Sequence, residues 1–471
     1  MIMLRPNLAL NTDSYKLSHP WQYPDGLEYM QSYFESRGGL FGKTMSLGYQ
    51  GLAKTNLLDP VTKDDVEEAK EVAEAHGEPF EYGGWMRIVD KFEGKPPIRI
   101  LAVPEGTMVP THNLLMRVES MDKETAWLPG HVESMLVRLW YPQTVATLSH
   151  YIKRDILEAL IKSSNDPWGE ILFKLHDFGA RGCSSLETAG IGGMAHLVNF
   201  QGTDTIEALR YVRKYYGESM AGFSIPAAEH STITSWGREN ELLAYRNMVK
   251  QFAKPGKFVA CVSDSYDIYN AVRLWGSELR EEVKASGGTL VIRPDSGIPV
   301  EVVMKCLRIL EDQVGMTKNM KGYKVLPSYF RLIQGDGVNR DSIREILAEM
   351  LANGYSASNI AFGMGGGLLQ QVNRDTQKYA YKCSQVIING QPRRVFKDPV
   401  TDQGKKSKAG NLDIVFENGQ FKTIELEPGT SLSRNTALKP IYEMGKLLVD
   451  EKFSDVRKRA DSDLVEGYGR A

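Results

Sequence analysis

The sequence predicts an α/β protein: an irregular α/β barrel beside a discontinuous β-rich second domain. Three observations carry this. Seven short apolar or β-branched runs, at 171–177, 196–202, 223–230, 258–264, 289–295, 330–336 and 360–367, each end in a polar or glycine turn. Helical stretches at 205–216, 232–252, 266–285, 299–313 and 341–351 separate most of them. Strand and helix alternating at this spacing imply a parallel sheet, and seven repeats favour a barrel over an open doubly wound sheet. Past Arg374-Asp375 the alternation stops and antiparallel signals replace it.

In chain order, Asn11 to Lys16 predicts a helix start with Thr12 or Asp13 as cap, and 33–37 a strand ending on Arg37. The run 61–76, VTKDDVEEAKEVAEAH, predicts an exposed charged helix. Strands follow at 98–109 and 114–118, with Pro104 and Gly106 supplying turn chemistry. Residues 128–163 repeat apolar positions at helical spacing and predict one or two long helices; His131 and His150 there suit structural roles. Ser163 to Gly169, SSNDPWG, is a break, and the domain boundary is placed there. The barrel is assigned to 169–370, and 1–168 with 371–471 to the second domain. In that domain 378–389 and 394–397 read as strands, and Lys405-Lys406-Ser407-Lys408 as a basic loop. A hairpin at 413–416 and 421–425 turns on Asn418-Gly419, and the tail ends in a charged helix at 449–457.

The bulk numbers narrow the class. A chain of 471 residues, 42% hydrophobic and 25% charged, suits a soluble two- or three-domain protein. A net charge of -2 offers no global field for nucleic acid or membrane. The four cysteines lack a CxxC pair, which favours reduced thiols in a cytoplasmic protein over structural zinc. Arg5 and Asn7 interrupt what a signal peptide needs as an apolar core, and no run approaches the ~20 apolar residues of a membrane span.

The strand-end turns carry the chemistry. Stretch 174–205 places His176, Asp177, Phe178 and Arg181 after one apolar run and Gln201, Gly202, Thr203 and Asp204 after the next. Phe178 can stack on a flat ring, Arg181 can cover a ring or grip phosphate, and Asp204 can accept an amide proton. A core aromatic, a surface arginine and a helix N-cap explain the same residues, and for this stretch alone that reading is the commoner one. His230 can accept a phosphoryl group, against the commoner structural histidine. Ser263-Asp264-Ser265-Tyr266-Asp267 brings two carboxylates able to hold Mg²⁺ or orient a histidine. Asp295 can accept from ribose hydroxyls while Arg293 reaches a phosphate or ring. The glycine turns at Gly335-Asp336-Gly337 and 363–367 can cradle phosphate through backbone N–H groups. GxxxxGK[ST] is absent, which argues against a P-loop enzyme. Together these turns describe a nucleotide-forming or nucleotide-binding site.

The segments NTDSYKLSHPWQYP, SYFESR, WYPQTVAT, KLHDFGARGCSSLETAGIGGMAHLVNFQGTDT, SIPAAEHSTITSWG, VSDSYDIYNAV, VIRPDSGIP, RLIQGDGV, IAFGMGGGLLQ and VFKDPV, running from residue 11 to about 400, resemble the nicotinamide phosphoribosyltransferases of the nicotinate/nicotinamide phosphoribosyltransferase family, in that family's order. The resemblance implies a type II phosphoribosyltransferase fold and a homodimer with active sites at the interface. It also implies synthesis of nicotinamide mononucleotide and pyrophosphate from nicotinamide and phosphoribosyl pyrophosphate, with Mg²⁺ held mainly through phosphates and ATP hydrolysis coupled through a phosphohistidine. By position, Phe178 and a partner chain's Tyr15 would sandwich the pyridine, Arg181 would lie near ring and phosphates, and Asp204 would accept from the carboxamide. His230 would be phosphorylated with Asp267 orienting it, and Arg293 and Asp295 would hold the ribose side. Gly335, Asp336, Gly365 and Gly366 would surround the 5′-phosphate. Arg37, Arg374, Lys382 and Lys397 would bind pyrophosphate and ATP phosphates, and Asp13 and Ser263 join the substrate contacts. The sequence departs from the family's usual residues at Ala180, Met364 and Ala380. Two other readings stand beside this one: a nicotinate enzyme, opposed by Asp204, and a silent nucleotide-binding homologue, opposed by intact His230, Asp267, Arg293 and Asp295.

Overall fold

The computed structural model describes residues 6–401 and 406–469, so Arg5 and Lys405 lie outside the described residues. The chain divides into two compact units: Met1–Thr147 with Lys214–Glu218 and Asn373–Asp463, and Leu148–Arg213 with Ser219–Val372 and Leu464–Ala471. The division falls inside the helix Trp140–Ser163. The break at 163–169 ends that helix, where Ser163 Oγ accepts from Ala357 N at 2.9 Å.

The second unit holds a parallel six-stranded sheet in the order Gly202–Thr203, Leu175–Asp177, Ile360–Met364, Phe330–Gln334, Thr289–Arg293, Phe258–Val262. The chain at 223–228 then bridges to Gly202 at one edge and, through Ala227, to Ala260 at the other. Phe223 N donates to Gln201 O at 2.7 Å and Ala260 N donates to Pro226 O at 2.9 Å, so the sheet curls and both edges are covered. This segment stays irregular because Pro226 has no N–H to give to a ladder. Ala260, Val291 and Ile333 are buried together, with Phe178, Ile225 and Ala361 packed on them. Fully burying a valine or isoleucine contributes roughly 1.5–3 kcal/mol.

Two expected strands are corrected. Residues 171–173 form a 3₁₀ turn and the strand begins only at Leu175. Before it, the Lys174 ammonium donates to the carbonyls of Ala357, Ser358 and Ile360 at 3.1–3.2 Å, pinning the turn. The apolar run at 196–200 closes a helix, Leu186–Leu197, started by Ser185, whose hydroxyl accepts from Thr188 N at 3.0 Å. Periodicity cannot separate a buried helix from a buried strand in so short a run. Two expected long helices are also split. Gly237, at φ +84°, divides 232–252, and 266–285 becomes Ile268–Gly276 and Arg280–Ser286. The run at 223–230, also expected as a strand, makes only isolated bridges at Phe223 and Ala227, and the remaining strands and helices fall near their expected places, including Pro299–Val314 and Arg340–Ala352.

The first unit is built on a seven-stranded sheet in the order Gln391–Arg394, Tyr379–Ile388, Leu27–Ser36, Leu114–Ser120, Ile98–Ala102, Lys439–Glu443, Lys446–Leu447. All of its long pairings are antiparallel. Residues 128–163 form three helices instead of one or two, and the terminal helix is longer than expected, Phe453–Tyr468. The charged helix Lys63–His76 has a capping box between Thr62 and Asp65. Asn418 and Gly419, both at positive φ, make the two-residue turn between Asn411–Glu417 and Gln420–Leu426. All four cysteines are free thiols, and no helix among the described residues is long and apolar enough to cross a membrane.

Candidate active site

The carboxyl ends of the parallel strands line a cavity of about 420 Å³, within the range of small-molecule sites. Arg181, Asp204, His230, Arg293 and Asp295 share its wall, so five residues singled out from separate turns meet there.

At one end, Asp177 is buried and ties the turns together. It accepts from Gly179 N at 2.7 Å, from the Thr203 hydroxyl at 3.3 Å and, through its carbonyl, from Asp204 N at 3.0 Å. The Phe178 ring lies 5.1 Å from the His176 ring, tilted 50°. Gly363 makes room for Phe178: a Cβ there would stand 1.9 Å from Cε2. Asp204 Oδ1 accepts from His176 Nε2 at 2.8 Å and from Ser224 Oγ at 2.6 Å. Its side chain therefore looks across the barrel mouth, and the plain N-cap explanation fails. Among the described residues no amide of the following helix donates to the Asp204 carboxylate, and the Thr205 amide donates to the Thr203 hydroxyl at 3.0 Å. Burial would raise the Asp204 carboxyl, but the His176 and Ser224 bonds, with the Arg293 charge, outweigh it and hold it below the usual aspartate value.

At the other end, His230 is half-exposed at the start of a short helix, and Nε2 bonds Asp264 Oδ1 at 3.0 Å. Asp267, expected to orient this histidine, caps Ile268–Gly276 by accepting from the amides of Tyr269 and Asn270. The orienting carboxylate is Asp264, steadied on its second oxygen by Ser296 Oγ at 2.5 Å. Asp264 lies two residues past the strand Phe258–Val262 and reaches His230, whereas Asp267 is the N-cap of the following helix. Ser263, expected at the substrate, is fully buried and accepts from the Trp275 indole at 3.1 Å. Arg293 and Asp295 stand 3.8 Å apart, and the buried Arg293 Nε has no partner among the described residues. Burial raises the Asp295 carboxyl, and the charges of Asp264 and Asp336 add to that against Arg293 and His230. Gly335 approaches closely: a Cβ there would lie 3.1 Å from Asp295 Oδ1 and 3.6 Å from Phe178 Cε2. Asp336 and Gly366 are exposed and Gly365 partly so, on the two glycine turns beside these residues.

The remaining residues belong to the first unit. Tyr15 is exposed on the 3₁₀ helix Ser14–Trp21, with the His19 ring 5.1 Å away. Asp13 does not cap that helix through its side chain; it accepts from Ser134 Oγ at 2.6 Å. Arg37 Nε donates to the buried Glu35 at 2.7 Å, and Lys408 donates to the same carboxylate. Arg37 Nη2 is buried and unpartnered among the described residues. Burial lowers the Lys382 ammonium, and the charges of Arg37, Lys397 and Lys16 lower it further against Glu133. Arg374 is exposed beside Asp375.

Residues 173–428 match the Nicotinate phosphoribosyltransferase (NAPRTase) family, and residues 7–100 match the Nicotinamide phosphoribosyltransferase N-terminal domain. The chain belongs to the nicotinate/nicotinamide phosphoribosyltransferase family. As a member it is a pentosyl-transferring enzyme. It is 53% identical over 461 residues to a nicotinamide phosphoribosyltransferase of Xanthomonas campestris pv. campestris, covering 97% of this chain and 98% of that one. It is 29% identical over 489 residues to another from Acinetobacter baylyi, covering 96% of each. Among solved structures, nicotinate-nucleotide pyrophosphorylase from Pyrococcus furiosus superposes with a TM-score of 0.60 at 14% identity, covering 99% of this chain and 97% of that one. Human nicotinic acid phosphoribosyltransferase gives 0.53 at 14%, covering 96% and 93%. At that identity these two establish the type II phosphoribosyltransferase fold alone.

The sequence reading of this phosphoribosyltransferase missed Asp264 as the histidine's partner, Ser224 and Ser296 as donors, and Gly363 as the residue that admits Phe178. Asp264 and Ser296 sit in quoted motifs, so only their direction was hidden. Gly363 has no local signal at all.

Proposed function

We propose that the chain transfers the phosphoribosyl group of phosphoribosyl pyrophosphate to the ring nitrogen of nicotinamide, giving nicotinamide mononucleotide and pyrophosphate for NAD salvage. The observation that carries this is Asp204: it lines the Arg293–Asp295 cavity, Oδ1 is taken by His176 and Ser224, and Oδ2 accepts no hydrogen bond among the described residues. An ionised carboxylate accepts from a carboxamide N–H and repels a carboxylate, which selects nicotinamide over nicotinate. Phe178 supplies one face for the pyridine, and Tyr15 of a second copy supplies the other in a homodimer.

The chemistry is a displacement at the anomeric carbon. The pyridine nitrogen forms its bond as the bond to the pyrophosphate oxygen breaks, through a transition state with oxocarbenium character. Asp295 accepts from the ribose hydroxyls, Arg293 stands beside the leaving group, and the turns at Gly335-Asp336 and Gly365-Gly366 receive the 5′-phosphate. Arg37, Arg374, Lys382 and Lys397 neutralise pyrophosphate and ATP phosphates. No group of three or more metal-ligating side chains occurs among the described residues, yet Asp264 and Asp336 are close enough to Asp295 for their charges to raise it. One or two such carboxylates plus substrate phosphates form the donor set that suits Mg²⁺, which when bound would neutralise the departing pyrophosphate.

His230 is assigned as the phosphoryl acceptor. A carboxylate only accepts, so Nε2 carries the proton toward Asp264 and the lone pair sits on Nδ1. Nδ1 attacks the γ-phosphorus of ATP, ADP leaves, and water later hydrolyses the phosphohistidine. Detection of mononucleotide from phosphoribosyl pyrophosphate with nicotinamide or nicotinate, each with and without ATP, tests the assignment. Nicotinamide mononucleotide, formed faster with ATP, is expected; nicotinate mononucleotide alone would reject it. For the shared site, mixing Tyr15→Ala and Phe178→Ala protomers should restore one wild-type site per heterodimer.

A further inference from the structure

We propose that His176 is a positioning residue that sets amide-over-acid selectivity, by locking Asp204 in the orientation that leaves one carboxylate oxygen free. This rests on the pyridine-site reading above and goes beyond it by assigning the residue behind Asp204.

His176 is the middle residue of the strand Leu175–Asp177, and only 15% of its side chain is exposed. Its Nε2 lies 2.8 Å from Asp204 Oδ1. An ionised carboxylate has no proton to give, so Nε2 must be the protonated nitrogen. Ser224 donates to the same oxygen at 2.6 Å. Two donors on Oδ1 fix the carboxylate's rotation, and Oδ2 accepts no hydrogen bond among the described residues. Without the histidine, a half-exposed aspartate retains one tether and can turn Oδ2 away.

The ring is itself held from behind. Gly202 pairs with His176 in the parallel ladder, and a Cβ on Gly202 would stand 2.7 Å from Nδ1. Side chains essentially never approach that closely, so glycine at 202 is what admits the imidazole. On its other side the ring meets Phe178 at 5.1 Å. One imidazole thus neighbours both the aromatic ring assigned to the pyridine and the carboxylate assigned to its substituent.

The experiment measures kcat/KM for nicotinamide and for nicotinate at saturating phosphoribosyl pyrophosphate, in wild type, His176→Ala, His176→Gln and Gly202→Ala. His176→Ala should lower the nicotinamide-to-nicotinate ratio about tenfold or more, with the loss mainly in nicotinamide KM. His176→Gln, which keeps an N–H donor at similar reach, should restore most of the ratio. Gly202→Ala retains every polar group but crowds the ring, and should lower the ratio as well; with His176→Gln it decides the matter if His176→Ala is unstable. A ratio unchanged in both His176→Ala and Gly202→Ala, with both pyridines slowed equally, would overturn the proposal and leave His176 as packing. Wild-type enzyme that makes no mononucleotide from nicotinamide would overturn the underlying reading instead.

Discussion

Asp204 and Asp295 line one cavity, yet their surroundings push them in opposite directions. Burial raises both carboxyls. At Asp204 two hydrogen-bond donors reverse the effect, and the group stays below the ordinary aspartate value. At Asp295 burial remains the largest influence: Arg293 at 3.8 Å and His230 lower the carboxyl, Asp264 and Asp336 raise it, and the group stays above the ordinary aspartate value. The lesson is that burial pushes both acids the same way, and only hydrogen-bond donors aimed at the carboxylate, present at Asp204, reverse it. Asp204 is pre-paired and rigid, as suits a residue that reads a substituent. Asp295 is held up chiefly by burial, which fits the proposed contact with ribose hydroxyls.

The comparison breaks most directly at Arg293, the cation that both acids feel. Arg293→Ala should reduce kcat/KM by about 10²–10³-fold, because the leaving-group end loses its cation while three acids remain. Steady-state rates with nicotinamide measure this, and a loss under tenfold would remove Arg293 from the reaction.

Next in size is Asp204→Asn, which removes the repulsion toward a carboxylate and offers a donor in its place. The nicotinamide-to-nicotinate ratio should fall by about a hundredfold, since a few kcal/mol of discrimination is at stake. Competition between the two pyridines gives the ratio directly. His230→Ala should then abolish stimulation by ATP, bringing the rates with and without ATP together while leaving slow ATP-independent synthesis. Acceleration of that variant by ATP would exclude His230 as phosphoryl acceptor.

The smallest expected effect separates the acids by pH. Asp295, raised in the folded state, costs stability at neutral pH, so Asp295→Asn should raise Tm by about 1–3 °C at pH 7.5. That gain should shrink as pH falls through the raised value, where the wild-type group becomes protonated. Asp204, depressed in the folded state, contributes stability that is present above the ordinary aspartate value and is lost only as pH falls through the lower folded value. Asp204→Asn should therefore lower Tm slightly, with a deficit that holds down to about pH 4. Melting curves of both variants from pH 7.5 to 4 check the opposite trends, and parallel curves would contradict the contrast.

Much of the barrel was legible from strand-end turns. The runs at 258–264, 289–295, 330–336 and 360–367 each contain the observed strand, because a β-branched run cut off by a glycine or aspartate turn has few other solutions. At 171–177 and 196–202 the apolar pattern overstates the strand, which is only Leu175–Asp177 in the first and begins at Gly202 in the second, because helix and strand bury short apolar runs equally well. Site residues fared similarly. Phe178, Arg181, Asp204, His230, Arg293 and Asp295 were visible as turn residues after strands, whereas the choice between Asp264 and Asp267 was not, since three positions along the chain turn a side chain from the cavity to a helix cap.

The sequence by itself determined the residue types that gather at the strand ends, through turns repeated at regular spacing, and the resemblance of its motifs implied the reaction class. Tertiary structure alone decided which carboxylate faces His230, that His176 rather than a helix amide engages Asp204, and that Gly202 and Gly363 are required by rings packed against them. Those relations join residues up to 185 positions apart, as with Phe178 and Gly363, and no local pattern encodes a contact at that distance.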